Sequence, residues 1–153
     1  DQHSFSTQVT DLDNIQNPSI HSLLSSKYHE AQMHRLNIHA EIPDPVIHNY
    51  LTDLDLAVVL GHLMDNAIDG ARKASEGFIS LAYFDEEDCQ SFIIESTIAE
   101  EQVPLSMMST QLSHPEGGIG VNAVQDILER YPNTSFSVRS QNHKMMQILE
   151  MRP

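Results

Sequence analysis

The chain has 153 residues, of which 22 are acidic and 8 are basic, and its formal net charge is -14. This length fits one domain with a real hydrophobic core, and the charge argues against a protein that binds nucleic acid or anionic membrane surfaces. The single Cys89 excludes an internal disulfide and fits a reducing compartment, and no apolar run is as long as a membrane span.

The first half of the chain predicts a helix, a strand and a second helix. An Asn-Pro pair opens a helix that runs from residue 18 to about residue 33. Apolar and polar residues alternate over residues 35–42, which predicts a half-buried strand. Apolar residues recur at i, i+3, i+4 and i+7 over residues 56–75, and this pattern predicts a long amphipathic helix. Thr52 or Asp53 is its expected N-cap.

The second half predicts two hairpins separated by a long connection and a helix. Residues 78–84 and 90–97 read as antiparallel strands joined by an acidic turn, and residues 135–140 and 145–151 as a closing hairpin. Residues 98–116 show no clean period, and a connection of this length is usually a lid or a binding loop. The order of elements predicts an α+β domain, with one mixed, mostly antiparallel sheet and helices on one face.

The central helix carries a line of polar residues formed by His62, Asn66, Asp69 and Lys73, which fall within about 60° of one another at 3.6 residues per turn. Asn is a poor residue inside a helix, and Gly70 costs about 1 kcal/mol relative to Ala. Such side chains can bind a metal ion or a phosphate, but the polar face of an ordinary helix has a similar composition. In either case this polar line, including Asn66, is expected to be exposed to solvent.

A cluster of glycines precedes the last predicted helix. Gly117, Gly118 and Gly120 would allow the backbone to approach an anion, and a helix N-terminus presents free amide groups. A glycine pair before a helix is more often only a turn. The cluster is not a P-loop, because the GxxxxGK[ST] pattern is absent.

Taken together, two stretches resemble a known family. LGHLMDNAIDGA resembles the asparagine box of the GHKL, or Bergerat-fold, ATPases, and GGIGVNAVQDILERY is similar to their last glycine box, which follows the ATP lid. The sequences of both boxes most resemble those in the catalytic domains of sensor histidine kinases of the peptide-pheromone, quorum-sensing type. The resemblance covers about residues 16–151. It implies a two-layer sandwich with an ATP lid loop, and ATP and Mg²⁺ as cofactors.

The resemblance also assigns site residues. Asn66 corresponds to the asparagine whose side-chain oxygen binds the Mg²⁺ that bridges the ATP phosphates. His62 stands in the catalytic position, where the family usually has Asn or Glu. The middle box of the family, DxGxG, is absent, and Ser96 or Glu95 is the candidate to receive the adenine. The residues expected to bind the nucleotide are Asn66, Asp69, Lys73, Ser96, Gly117, Gly118, Gly120 and Asn122.

The resemblance implies the ATP-binding catalytic domain of a two-component sensor histidine kinase. It would donate the γ-phosphoryl group to a His on a separate helical dimerisation domain, and it would be inactive without that domain. The domain would occupy residues 18–153, and residues 1–17 would be a polar lead-in or the remnant of a cut helix. The expected partners are that phosphoacceptor domain and a response regulator, in a homodimeric full-length protein, with no nucleic acid.

Two further expectations complete this prediction. The domain would lie on the cytoplasmic side of a membrane-anchored bacterial receptor. The alternative is a degenerate GHKL module that keeps the fold and serves as a protein-interaction or dimerisation surface without catalysis. His62 and the missing middle glycine box favour this alternative, whereas Asn66 and the glycine cluster oppose it.

Overall fold

A computed structural model describes residues 11–101 and 120–153, without the side chains of residues 120–123. In these ranges the predicted order of helices and strands is confirmed. The elements in chain order are helix α1 (Pro18–Met33), strand β1 (Asn37–Glu41), helix α2 (Asp53–Lys73), strands β2 (Phe78–Glu86) and β3 (Cys89–Thr97), helix α3 (Gly120–Glu129), and strands β4 (Thr134–Gln141) and β5 (Lys144–Met151). Most of the predicted lid over residues 98–116, together with Gly117 and Gly118, lies outside the described residues.

The strands form one five-stranded sheet in the order β1-β2-β3-β5-β4. β1 pairs with β2 in parallel, and the remaining three pairs in this sheet are all antiparallel. The predicted mixed, mostly antiparallel sheet is therefore confirmed. The last strand, β5, lies between β3 and β4, so residues from the end of the sequence reach the middle of the sheet.

The helices cover one face of this sheet and bury it. Every second residue of β3 and of β5 is buried, whereas the residues between them are partly exposed, apart from the exposed Lys144 at the start of β5. The buried set of β5 includes Gln147, whose side chain contacts α2, so this set faces the helices. The apolar stripe of α2 supplies the other side of the core, with Val59, Leu60 and Leu63 fully buried. The structure is thus the predicted two-layer α+β sandwich.

Helix α1 packs against α2 through both apolar and charged contacts. Its N-cap is Asn17, whose side chain accepts hydrogen bonds from two backbone amides of the first turn, as the Asn-Pro pair predicts. Lys27 Nζ lies 2.6 Å from Asp65 Oδ1 on α2. Burial by itself lowers the pKa of Lys27, but the hydrogen bond and the charge of Asp65 outweigh it and raise this pKa. The pair therefore ties α1 to the outer side of α2.

The segment before α1 also contributes to the core. Leu12 and Ile15 are buried, and Ile15 forms an isolated parallel bridge with Val46. The side chain of Asn14 donates a hydrogen bond to the carbonyl oxygen of Ile42 at 2.5 Å. Residues 11–15 therefore pack onto the same domain as the helices that follow.

Gly77 lies just beyond the central helix without capping it. Helix α2 ends at Lys73 and its C-cap is Ala74, in an extended conformation. A Cβ atom at Gly77 would collide with Leu36 Cδ2 and would lie 3.1 Å from the carbonyl oxygen of Ala71. Gly77 therefore allows a close approach between the chain that enters β2 and the end of α2.

Candidate functional site

Helix α2 begins at a well-defined cap. Thr52 accepts a hydrogen bond from the backbone amide of Asp55 at 3.2 Å, which identifies Thr52 as the N-cap of the two predicted candidates. Farther along the helix, a Cβ atom at Gly70 would lie 3.0 Å from Ile98 Cγ2 and 3.4 Å from the carbonyl oxygen of Thr97. The glycine thus allows the second half of α2 to lie close to the end of β3.

Asn66 is buried, so the predicted exposure of this residue is wrong. Only 9% of it is accessible to solvent. Its Nδ2 donates a hydrogen bond to Gln147 Oε1 at 3.3 Å, and Gln147 Nε2 donates to the carbonyl oxygen of Leu63 at 3.0 Å. The physical reason is that Asn66 stands at the border between the polar line and the apolar stripe. The border faces the sheet, where a polar residue of β5 meets it.

The other members of the polar line lie nearer the surface. Lys73 Nζ and Asp69 Oδ2 are 3.4 Å apart, one helical turn from each other, and the Lys73 side chain is 67% exposed. His62 is half-buried, one turn before Asn66. The predicted line therefore divides into a buried amide at the sheet and charged groups at the surface.

Ser96 is the second buried polar residue at this end of the sheet. It lies near the end of β3 and is inaccessible to solvent, and its hydroxyl has no hydrogen-bond partner within residues 11–101 and 120–153. Ile94 pairs with Gln147, and Ser96 with Met145. Ser96 therefore shares the helix-facing side with Gln147 and is its diagonal neighbour, at a typical separation of about 7–8 Å between Cα atoms. Glu95 belongs to the opposite face.

An unpartnered buried hydroxyl is energetically unfavourable, by about 1–3 kcal/mol. Native proteins rarely leave such a group alone. The Ser96 hydroxyl thus marks a place where a partner from outside the described residues would be stabilising. Tyr83 and Gln90 also carry unpartnered buried atoms, but Gln90 lies at the other end of β3, beside Met151 of β5.

The end of helix α3 contacts the start of α2. Its end is fixed at the start of α2, because Tyr131 donates a hydrogen bond to Asp55 Oδ2 at 2.6 Å and Arg130 Nη2 lies 3.0 Å from Asp55 Oδ1. The hydrogen bond from Tyr131 lowers the pKa of Asp55 against the effect of burial, and Thr52 and Arg130 lower it further. Gly120 is the first residue of α3, and Asn122 lies in its first turn with its side chain outside the described residues.

Gln147 is the site residue that sequence reasoning missed. The alternating pattern of β5 places Met145, Leu149 and Met151 on the buried face, and Gln147 interrupts this apolar series. A glutamine at a core position of a strand was the available signal. Its meaning depends on Asn66, which lies 81 positions away in the sequence.

Comparison with known proteins defines the family to which this chain belongs. Residues 51–152, more than half of the chain, match the family model of the GHKL domain. The chain therefore belongs to the GHKL family. No curated protein is similar enough to this chain to count as a match.

The fold of this chain is similar to that of solved histidine kinase catalytic domains. The nucleotide-free catalytic domain of histidine kinase ThkA is 14% identical, with a TM-score of 0.72 over 90% of this chain and 91% of that chain. Histidine kinase AdeS of Acinetobacter baumannii is 16% identical, with a TM-score of 0.61 over 88% of this chain and 62% of that chain. The histidine kinase domain of a blue-light activated histidine kinase from Erythrobacter litoralis is 11% identical, with a TM-score of 0.65 over 83% of this chain and 59% of that chain.

Among the residues that the structure describes, no helix is both long enough and apolar enough to span a membrane.

Proposed function

We propose that this chain binds Mg²⁺-ATP and acts as the catalytic domain of a sensor histidine kinase, donating the γ-phosphoryl group to a His on a separate helical domain. Family membership and the fold support this reading at the level of the class. The observation that carries it is the buried Asn66 amide, held by Gln147 on the same side of the sheet as the unpartnered hydroxyl of Ser96. Together they offer polar groups inside an otherwise apolar interface between α2 and β3.

The Asn66 amide fits the expected metal ion. Its Nδ2 is used by Gln147, which leaves the side-chain oxygen as the atom that would hold Mg²⁺. Oxygen is the ligand that Mg²⁺ prefers, and this ion commonly takes only one or two protein ligands beside water and phosphate oxygens. When bound, Mg²⁺ would neutralise charge on the phosphates during transfer.

Ser96 supports the proposed adenine subsite. A hydroxyl both donates and accepts hydrogen bonds, so it can bind an amino group or a ring nitrogen of the base. The family has a carboxylate at this place, and a neutral hydroxyl binds an amino group less strongly than a charged acceptor. We therefore expect nucleotide binding to be weak, with Ser96 rather than Glu95 as the contact, because Glu95 lies on the other face of the sheet.

The start of α3 supports the proposed phosphate subsite. The helix is ten residues long, about 15 Å, and its end lies beside Asp55. From Asp55 to Asn66 the distance along α2 is about 16 Å. An antiparallel packing of α3 on α2 would bring Gly120 level with Asn66. The phosphates would then be bound by backbone amides and one polar side chain, from Gly117, Gly118, Gly120 and Asn122. The positive end of α3 would supply a local positive field for them in a chain whose net charge is -14.

Three residues of α2 complete the proposed site. His62 lies one turn before Asn66, and we assign it the catalytic role of accepting a proton from the attacking group, since a neutral imidazole can do so. Lys73, paired with Asp69 at the surface, would face the outer phosphates. Both charged residues lie farther from the core than Asn66, which fits a nucleotide whose phosphates lie toward solvent.

The wider context of the proposed kinase follows from its class. The phosphoacceptor domain would belong to the same homodimeric kinase, and a response regulator would receive the phosphoryl group. The quorum-sensing subtype and a cytoplasmic position in a membrane-anchored receptor belong to the same proposal. The second candidate is a degenerate GHKL module that only binds other proteins. His62 and the absence of the middle glycine box from the sequence favour it.

Nucleotide titration decides between these two functions. We expect calorimetry to show weak ATP binding that Mg²⁺ strengthens, with a rise in melting temperature by mass action. Asn66→Ala should remove the effect of Mg²⁺. Asn14→Ala is the matched control, because it also removes a side-chain hydrogen bond, but one made to Ile42 far from the site. Absence of heat at millimolar nucleotide would favour the interaction module.

The transfer step needs a separate assay. We expect no labelling of this chain alone by γ-labelled ATP with Mg²⁺, because the proposed acceptor His lies on another domain. Fusion to a helical phosphoacceptor domain should produce an acid-labile phosphohistidine, and Asn66→Ala in the fusion should abolish it. Label on a His of the isolated chain would contradict the proposed division of labour.

A further inference from the structure

We infer that Gln147 is a positioning residue that fixes the orientation of the Asn66 amide, so that its oxygen faces the nucleotide site. The inference rests on the proposed function for its consequence, namely metal binding. Its structural part concerns only the contacts among Leu63, Asn66 and Gln147.

The orientation follows from which atoms can donate a hydrogen bond. The carbonyl oxygen of Leu63 can only accept, so the amide nitrogen of Gln147 must face it, at the observed 3.0 Å. The oxygen of Gln147 then faces Asn66 and can only accept. Asn66 must present its nitrogen, at 3.3 Å, and its oxygen is directed away from Gln147. One backbone carbonyl thus determines the orientation of two side-chain amides.

Burial makes this orientation strict. Gln147 is 1% and Asn66 is 9% accessible, so water cannot easily replace either bond. A rotated Asn66 would place its oxygen against the oxygen of Gln147 and would leave both without a donor. Only one of the two amide orientations offers an oxygen to a metal ion, because an amide nitrogen carrying two hydrogens is not a ligand for Mg²⁺.

Packing alone does not require a glutamine at this position. The neighbouring buried residues on the same face of β5 include Met145 and Met151, and methionine has the length of glutamine without its polar atoms. A methionine at position 147 would fill the same space and would remove both hydrogen bonds. The amide of Gln147 therefore acts through Asn66 rather than through the core.

The experiment compares Gln147→Met with Gln90→Met in the otherwise unchanged chain. Gln90 is a matched control, since it is also fully buried on the helix-facing side of the sheet, but its amide donates to the carbonyl oxygen of His48 at 2.5 Å, away from Asn66. The first measurement is the ¹⁵N NMR signal of the Asn66 side-chain amide without nucleotide. We expect Gln147→Met to abolish its hydrogen-bonded, ordered signal and Gln90→Met to leave it unchanged.

The second measurement is the factor by which Mg²⁺ strengthens ATP binding. We expect Gln147→Met to lower this factor about tenfold, which corresponds to ~1.4 kcal/mol, and to leave the affinity without Mg²⁺ within about twofold. In an Asn66→Asp background, Gln147→Met should not lower this factor, because both atoms of a carboxylate are oxygens and no orientation needs to be fixed. A purely structural role would lower the factor equally in both backgrounds.

The possible outcomes separate the two proposals. An unchanged Asn66 signal in Gln147→Met, or an equal loss in Gln90→Met, would overturn the positioning role. A wild-type chain that binds no nucleotide would overturn the proposed function, while the NMR comparison would still decide what Gln147 does to Asn66. If Gln147→Met does not fold, Gln147→Leu removes the same two hydrogen bonds and replaces it in every comparison.

Discussion

Two glycines, one inside α2 and one just beyond it, should respond in opposite ways to the same substitution. Gly61 lies inside α2, and a Cβ atom there would be 3.7 Å from Leu23 Cδ1, an ordinary contact. Gly77 follows the helix, and a Cβ atom there would collide with Leu36 and lie 3.1 Å from the carbonyl oxygen of Ala71. Gly61→Ala and Gly77→Ala therefore test the close approach that the structure assigns to Gly77.

The expected magnitudes follow from these contacts. Alanine is favoured over glycine inside a helix by about 1 kcal/mol, so Gly61→Ala should raise the free energy of unfolding by about that amount. An added methyl group in a packed interface typically costs about 1–3 kcal/mol, so Gly77→Ala should lower it by that amount. For a chain of this size, each kcal/mol corresponds to a change of about 2–4 °C in melting temperature.

Urea denaturation followed by circular dichroism measures both variants, with equal m values as the check that only stability has changed. A double variant with Leu36→Ala removes the side chain that Gly77→Ala would strike. We expect Gly77→Ala to be less harmful in that background, which gives a favourable coupling energy between the two sites. The reasoning is refuted if Gly77→Ala is as stable as the parent or if Gly61→Ala is less stable.

The remaining predictions concern two polar contacts that hold the helices in place. Tyr131→Phe removes the donor to Asp55 and should cost about 1.5–3 kcal/mol at pH 7. The folded state lowers the pKa of Asp55, so this contribution is fully present above the unfolded pKa of about 4. It is lost as the pH falls through the pKa of the folded state. Urea titrations should therefore show a smaller difference in stability between Tyr131→Phe and the parent at pH 3 than at pH 7. Lys27→Met removes the ion pair with Asp65 and should cost up to about 1 kcal/mol, less in high salt, and a loss that is unchanged by salt would count against an electrostatic contribution.

The helices could be predicted closely because their signals are local. The Asn-Pro pair and the N-cap Thr52 determine where α1 and α2 begin, and the apolar repeat determines which face of α2 is buried. The strands were also found within a few residues, since β-alternation needs only the neighbouring positions. Nothing in the sequence pattern, however, stated that β5 would insert between β3 and β4. That order depends on pairing between distant segments.

The candidate site could be predicted only as residue types, without the contacts among them. The family resemblance named Asn66 and Ser96, but the periodicity of α2 placed Asn66 in solvent. The prediction failed because the periodicity of a helix does not show which residue of the sheet packs against a given helix position. Gln147 supplies a polar partner there, so a polar residue can be buried. The roles of Asn66 and Ser96 stay predictions, as do those of His62, Asp69, Lys73, the glycines and Asn122.

The position of β5 has a consequence for how the site comes into existence during synthesis. During translation, α2 and its residue Asn66 are synthesised well before Gln147. Until β5 has inserted beside β3, the Asn66 amide is free to rotate and the helix-facing side of the sheet is incomplete. A nascent or prematurely terminated chain can thus contain every residue of the asparagine box and still lack the contact that orients the Asn66 amide. The geometry makes the proposed nucleotide site a property of the completed sheet.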